Sequence, residues 1–407
     1  MGSKKMTKDE KWFNKKMDRR EFLKKAGIGG AGLALGVSSA SAFFANQAKE
    51  DKKLADGEEE ISFYGEHQAG ITTAMQKNIY FVILDLHTTD KETIIQMFKD
   101  WTVYSEKLVN GELVKKDGSN ALLPPTDTGE TVGLNPYRLT LTFGVSASFL
   151  KKMGLEDKKP KEFRDLPPFP KEQLKEKYTG GDIVIQACAD DEQVAFHAVR
   201  NLVRKARNTV TMKWSQAGFA AIGDRMSTPR NLFGFKDGTA NVTKEKDFDK
   251  VVWCDSKDWM KGGSYMAVRR IQMFLETWDR TNLQEQENTF GRYKESGAPF
   301  GKKNEFDEVD LDLLPVDAHV RLAKEVDKPL YRRSYSYSDG IDETTGQFDT
   351  GLLFISFQKD PDSFIKVQTN LGAQDKMNEY ITHVGSGLFA CFGGVKEGEY
   401  LGQKLFE

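Results

Sequence analysis

The segment Gly234-Phe235-Lys236-Asp237-Gly238-Thr239-Ala240-Asn241 holds residue types suited to chemistry. Two glycines bracket one carboxylate, and small residues follow. Glycine lets the backbone approach a flat or bulky ligand while the turn aims Asp237 at it. The same letters also suit an ordinary Asp-Gly turn between strands. A second constellation is Asp317-Ala318-His319-Val320-Arg321, followed by Leu330-Tyr331-Arg332-Arg333-Ser334-Tyr335-Ser336-Tyr337. The 13 residues from His319 to Arg332 allow a helix turn and a return into one pocket. Taken singly, a lone histidine is more often packed or superficial than a ligand, and paired arginines are usually solvated. The five histidines are His67, His87, His197, His319 and His383, with no His-x-x-x-His pair among them, which disfavours a zinc hydrolase. A haem needs one axial histidine, so their scarcity leaves haem open. Cys188, Cys254 and Cys391 are odd in number and far apart, and build neither a disulfide framework nor a Cys-x-x-Cys knuckle.

The elements that must position these residues read as strands mixed with helices, twice over. Asn78–His87, Arg138–Val145, Asp182–Ala187 and Thr209–Trp214 are rich in branched and aromatic residues and predict strands. Asp190-Asp191-Glu192 caps a helix through about Arg207, with Val194, His197, Ala198, Asn201 and Leu202 on one face. In the second half, Tyr265–Trp278, Gly351–Gln358 and Gly387–Phe392 predict strands, and Ser363–Asn370 and Ala373–Tyr380 predict helices. No Gly-x-Gly-x-x-Gly turn follows any strand. The expected fold is therefore α+β, with two domains of antiparallel sheet at 61–217 and 218–407.

The chain has 407 residues, 29% charged and 39% hydrophobic, with a formal net charge of -2. A mean hydropathy of -0.56 excludes a multi-span membrane protein. Lys+Arg of 59 against Asp+Glu of 61 leaves no basic excess, so no nucleic-acid partner is expected. Residues 1–25 are polar and basic, and an uncharged run from Ala26 to Ala45 follows, closing on Ala40-Ser41-Ala42. Asp18-Arg19-Arg20-Glu21-Phe22-Leu23-Lys24 resembles a twin-arginine export signal, so residues 1–45 are expected to be a signal peptide, cleaved near Ala42. An uncleaved anchor is the alternative, although five glycines make the run a weak spanning helix. Residues 1–42 carry ten Lys+Arg and four Asp+Glu, which leaves 49 against 57, or -8, on the mature part. Residues 46–60 read as a solvated linker. The expected location is outside the cytoplasm, in the cell envelope or secreted.

Taken together, the motifs identify a resemblance. Phe63-Tyr64-Gly65-Glu66-His67-Gln68-Ala69-Gly70-Ile71, the stretch Gly181-Asp182 to Leu202, Gly234 to Gly238, His319, Arg332 and Gly351-Leu352-Leu353-Phe354 resemble the dye-decolourising peroxidases. The likeness is strongest to their exported deferrochelatase/peroxidase branch, associated with iron uptake. It implies two ferredoxin-like domains, with haem b or a related iron porphyrin held mainly by the second. It implies His319 as the axial ligand of the haem iron, Asp237 and Arg332 as the distal pair, and Gly238, Thr239, Ala240 and Arg332 beside the cofactor. Asp349 matches an acidic position of the family and is expected to hold the second ring nitrogen of His319. Two positions depart from the branch. Lys324-Glu325-Val326 stands where many members have Asn-Pro-Arg, and Ser334 where they have glycine.

The chemistry so implied is peroxide cleavage. Asp237 would move the proton of hydrogen peroxide, and Arg332, always charged, would hold Asp237 ionised and stabilise developing negative charge. Two one-electron donors, bulky dyes or phenols, would complete the cycle, with Tyr335 and Tyr337 as expected electron carriers. Haem itself as the substrate of a deferrochelatase, with the porphyrin left intact, and a non-catalytic haem or iron relay are the alternatives. An iron-uptake membrane complex is the partner implied, and an oligomer is left open.

Overall fold

Branched and aromatic residues crowd the segments that become strands, and capped amphipathic stretches become the helices between them. The computed structural model describes residues 57–115, 120–222 and 228–407; Arg19, Arg20, the apolar run and the expected cleavage point lie outside the described residues. The first half contains β1 (Asn78–Leu86), α1 (Lys91–Val109), β2 (Thr140–Val145), α2 (Ala147–Lys152), β3 (Ile183–Ala189), α3 (Glu192–Lys205) and β4 (Val210–Phe219). The second contains α4 (Glu245–Val251), β5 (Ser264–Met273), α5 (Leu275–Asp279), α6 (Leu283–Phe290), α7 (His319–Glu325), β6 (Tyr331–Arg332), β7 (Tyr335–Ile341), β8 (Phe348–Gln358), α8 (Pro361–Gln374), β9 (Ile381–Cys391) and α9 (Gln403–Phe406).

Each half is a four-stranded antiparallel sheet of ferredoxin-like order, β2-β3-β1-β4 in the first and β7-β8-β5-β9 in the second. The short β6 lies on the same edge of β8 as β7. The sheets meet edge to edge. Gly144↔Cys391 and Val145↔Ala390 join β2 to β9, and Phe219↔Ser336 joins β4 to β7, so the strands close into a ring. Ile79, Phe81 and Ile83 of β1 pack with Tyr335, Leu353, Ile355 and Phe389 in one core. Val82 and Leu84 pack on the other face with residues of α1 and α3. Burial on both faces is why β1 is apolar without alternating.

The helices have local causes. Asp90 caps α1 by accepting from the Thr93 amide at 2.9 Å, and Asp191 caps α3 through the Val194 amide at 3.0 Å. Two expected segments differ. β5 ends at Met273, and Trp278 belongs to α5, because the apolar spacing Leu275–Trp278 fits a helix turn as well as it fits a strand. The chain between residues 373 and 380 is not one helix. α8 stops at Gln374, Asp375 adopts an extended conformation, and a tight turn Lys376–Glu379 follows.

Candidate functional site

His319 is the first residue of α7, and its imidazole is partly open, with 29% of the side chain exposed. Nδ1 faces the Asp375 carboxylate at 2.6 Å. Asp375 is buried, and its other oxygen accepts from the Met377 amide at 2.8 Å, which fixes the carboxylate. With Nδ1 occupied, Nε2 is the ring nitrogen left for a ligand. Burial lowers the affinity of the ring for a proton, but the Asp375 charge outweighs it, and the net shift is upward. After Asp375, the charge of Arg332 lowers the same group and that of Asp237 raises it.

Asp349 is not the partner of His319. It lies within 3.4 Å of Arg270, which also pairs with Asp339 at 2.8 Å. The reason is topological: α7 and α8 pack together, the Asn370 side chain donating to the Leu322 carbonyl at 2.7 Å, and that pairing brings the end of α8, not the start of β8, level with His319.

In the glycine-bounded segment, Gly234 and Gly238 have φ of +82° and +116°, values that a residue with a Cβ adopts only with strain. They fold the intervening residues into a tight turn, and the Asp237 amide donates to the Pro229 carbonyl at 2.9 Å. Arg332, on β6, places Nη1 3.2 Å from Asp237 Oδ1, and both side chains are partly open. Thr239 points its hydroxyl at Glu305, 2.9 Å away, and Lys236 and Thr228 share the same carboxylate. Burial pushes Glu305 upward, but these donors outweigh it and hold it below the usual carboxylate range. Ala240 is exposed at the rim of the turn.

Tyr335 and Tyr337 are fully buried. Tyr335 packs inside the strand ring, and the Tyr337 ring lies 4.2 Å from the Arg270 guanidinium, so neither meets a donor at the surface. Sequence reasoning missed Asp375, Asn241 and Glu305. Asn241 was visible as the end of the glycine-bounded motif; Glu305 carried no signal.

The residues fit a haem. A histidine with one nitrogen held by a buried carboxylate and the other free is suited to hold a haem iron. The Phe290 ring stands 6.3 Å from the His319 ring, with Phe235 stacked on Phe290 at 3.9 Å, giving an apolar wall. A shallow, open groove of about 500 Å³ runs between α7 and α8, lined by Val326, Ile365 and Ala373 and edged by Glu325, Lys366 and Asn370; His319, Asp237 and Arg332 do not line it. Glu325 and Val326 belong to the triplet that departs from the branch.

Residues 68–220 match the family model for the Dyp-type peroxidase N-terminal domain, and residues 228–396 match that for the C-terminal domain. A deferrochelatase of Yersinia pestis is 38% identical over 371 residues, covering 85% of this chain and 84% of its own. The chain belongs to the Dyp-type peroxidases. A deferrochelatase of Escherichia coli O157:H7 is 37% identical over 412 residues, covering 95% and 96%. DtpA from Streptomyces lividans, solved as an oxyferrous complex, superposes with a TM-score of 0.80 at 36% identity, covering 87% of this chain and 99% of its own. A DyP-type peroxidase from Cellulomonas bogoriensis gives 0.79 at 35%, covering 86% and 99%. This Dyp-type peroxidase is accordingly a haem enzyme with two ferredoxin-like halves.

Proposed function

We propose that His319 would hold a haem iron through Nε2 and that Asp237 and Arg332 would act on hydrogen peroxide. The carrying observation is the pairing of His319 Nδ1 with buried Asp375, which leaves Nε2 free, together with the Asp237–Arg332 pair on the glycine-bounded turn. The haem, when bound, would take up the two oxidising equivalents that hydrogen peroxide supplies and pass them singly to a dye or phenol. Asp237 takes a proton from one peroxide oxygen at its carboxylate and returns it to the departing oxygen. Arg332 keeps Asp237 ionised and stabilises negative charge building on the peroxide. Asp375 holds the His319 Nδ1 proton, which orients the ring and makes Nε2 a better donor. The test is the visible spectrum of haem-loaded protein before and after one equivalent of peroxide. An unchanged Soret band refutes the reading.

The names of the relatives favour a second reading, removal of iron from haem with the porphyrin intact. The same pocket serves both, and anaerobic release of free porphyrin from supplied haem separates them. Arg19-Arg20, the uncharged run and Ala40-Ser41-Ala42 support export through the twin-arginine route and a place in iron acquisition at the cell envelope. Replacing Arg19-Arg20 by two lysines should retain haem-loaded protein in the cytoplasm; normal export of that variant contradicts it.

A further inference from the structure

Arg332 lies on β6, a strand of two residues that ends the strand order. Its partner on one side is β8, through Tyr331↔Phe357 and Arg332↔Ser356. On the other side stands the side chain of Asn241. Its Oδ1 accepts from the Arg332 amide at 2.9 Å, and its Nδ2 donates to the Arg332 carbonyl at 2.7 Å. A carboxamide carries a neutral donor and acceptor side by side, as a peptide group does in a sheet ladder, and only Asn and Gln side chains offer that pair. Asn241 itself sits one turn after Asp237, its amide bonded to the Gly238 carbonyl at 2.9 Å. Glu305 grips the same loop through Lys236 before Asp237 and Thr239 after it.

A partly exposed ion pair holds two chain segments only weakly. Asp237 and Arg332 form such a pair, and they come from segments that share no ladder. We infer that Asn241 and Glu305 are positioning residues that set the Asp237–Arg332 separation, Asn241 by acting as a surrogate strand for Arg332 and Glu305 by fixing the loop that carries Asp237. The inference rests on the distal reading of that pair. Neither residue touches the pair's side chains in a way that would make it a proton carrier. Their contribution is geometric, and misplacing a reacting group by about 1 Å costs on the order of 10²-fold in rate.

The experiment compares the haem-loaded parent with Asn241→Ala, Asn241→Asp, Glu305→Gln and Arg332→Leu. Four quantities are read: the Soret band, the melting temperature, the rate of reaction with peroxide, and the affinity for fluoride, an anion that a nearby guanidinium steadies. Asn241→Ala should keep its Soret band and melt within a few degrees of the parent, yet lose about 10²-fold in peroxide rate and about tenfold in fluoride affinity. Asn241→Asp, which keeps the acceptor and loses the donor, should fall between, and carries the test if the alanine variant does not fold. Glu305→Gln should show a smaller loss of peroxide rate. Asn241 variants with the parent's peroxide rate and fluoride affinity overturn the inference. If the parent itself ignores peroxide, the peroxidase reading fails, while fluoride affinity still tests the clamp, provided Arg332→Leu lowers it. Fluoride affinity that responds to Arg332→Leu but not to Asn241 variants then overturns the clamp alone.

Discussion

The two halves share one topology and use it differently. Between β1 and β2 the first half lays down a single 19-residue helix, α1, whose Ile94, Met97, Phe98, Trp101 and Leu108 are buried. At the corresponding place between β5 and β6, the second half has three helices of 5, 8 and 7 residues. Their buried apolar side chains are Trp278, Phe290 and Leu322. One long amphipathic helix covers a sheet; three short ones bury far fewer apolar side chains, and His319 heads the third. The comparison teaches that the candidate ligand sits where a helix is broken within a repeated fold, without a new fold being needed. Substitutions in the first half should therefore change stability, and those in the second should change chemistry.

The largest expected effect is on cofactor retention. His319→Ala should abolish the haem Soret band while the protein melts within a few degrees of the unloaded parent. A variant that keeps a full Soret band with a histidine-ligated signature breaks the assignment. Next comes Arg332→Leu, which should slow the peroxide reaction about 10³-fold, and Asp237→Asn about 10²-fold, because Arg332 and water carry part of the charge and proton handling. Rapid-mixing absorbance measures both.

Trp101→Ala probes the first half. The indole is fully buried and donates to the Leu202 carbonyl at 2.9 Å. Its loss should cost about 3–5 kcal/mol of stability by denaturant titration. The peroxide rate per haem should stay unchanged. A rate change as large as that of Arg332→Leu would break the division of labour between the halves.

A smaller effect separates two aspartates. Asp375→Asn should weaken haem affinity about 10–100-fold, since the ring loses the carboxylate that orients it. Asp349→Asn should leave haem affinity unaltered. The reverse result, read by haem titration, would restore Asp349 as the partner of His319.

These two aspartates also mark how far the sequence was legible. Strands such as β1, β3 and β8 announce themselves because extensive burial favours stretches rich in branched and aromatic residues. The turn around Asp237 is legible because two positive φ values require glycine. Helix α1 was legible but unread: Asp90 and the spacing of Ile94, Met97, Phe98 and Trp101 give its start and face. The hydrogen bond to His319 Nδ1 was not legible. It spans 56 residues and depends on how two helices lie side by side, and nothing local to Asp375 distinguishes it from other chain-turning aspartates. The same holds for Asn241, whose bonds span 91 residues.

The smallest effect compares the halves in acid. In the second half, His383 lies between Arg269 Nε at 3.4 Å and Gln368 Nε2 at 3.3 Å. Burial, then the charge of Arg269 and a minor effect of His319, push its pKa down to about 3. In the first half, Glu130 faces His197 at 3.2 Å. Burial would raise Glu130, but hydrogen bonds from Thr128 and its own backbone, with His197, hold it at about 2. Both folded values lie below the unfolded ones, so each contribution is present at neutral pH and lost as pH falls. The windows differ. His383 withdraws stability from pH 6.5 downward toward 3, and Glu130 only from 4.5 toward 2. Other groups, His319 among them, titrate in the same range, so the measurement is a difference. The stability of the parent minus that of His383→Gln should shrink by about 1.4 kcal/mol for each pH unit below 6.5. The same difference taken with Glu130→Gln should stay flat from pH 6.5 to 4.5 and shrink only below that. Denaturant titrations at pH 7, 6 and 5 decide for His383, and one at pH 4 for Glu130. A His383 difference that is flat across them would mean that the histidine is reached by water, and that the second half is open beyond the groove beside α7.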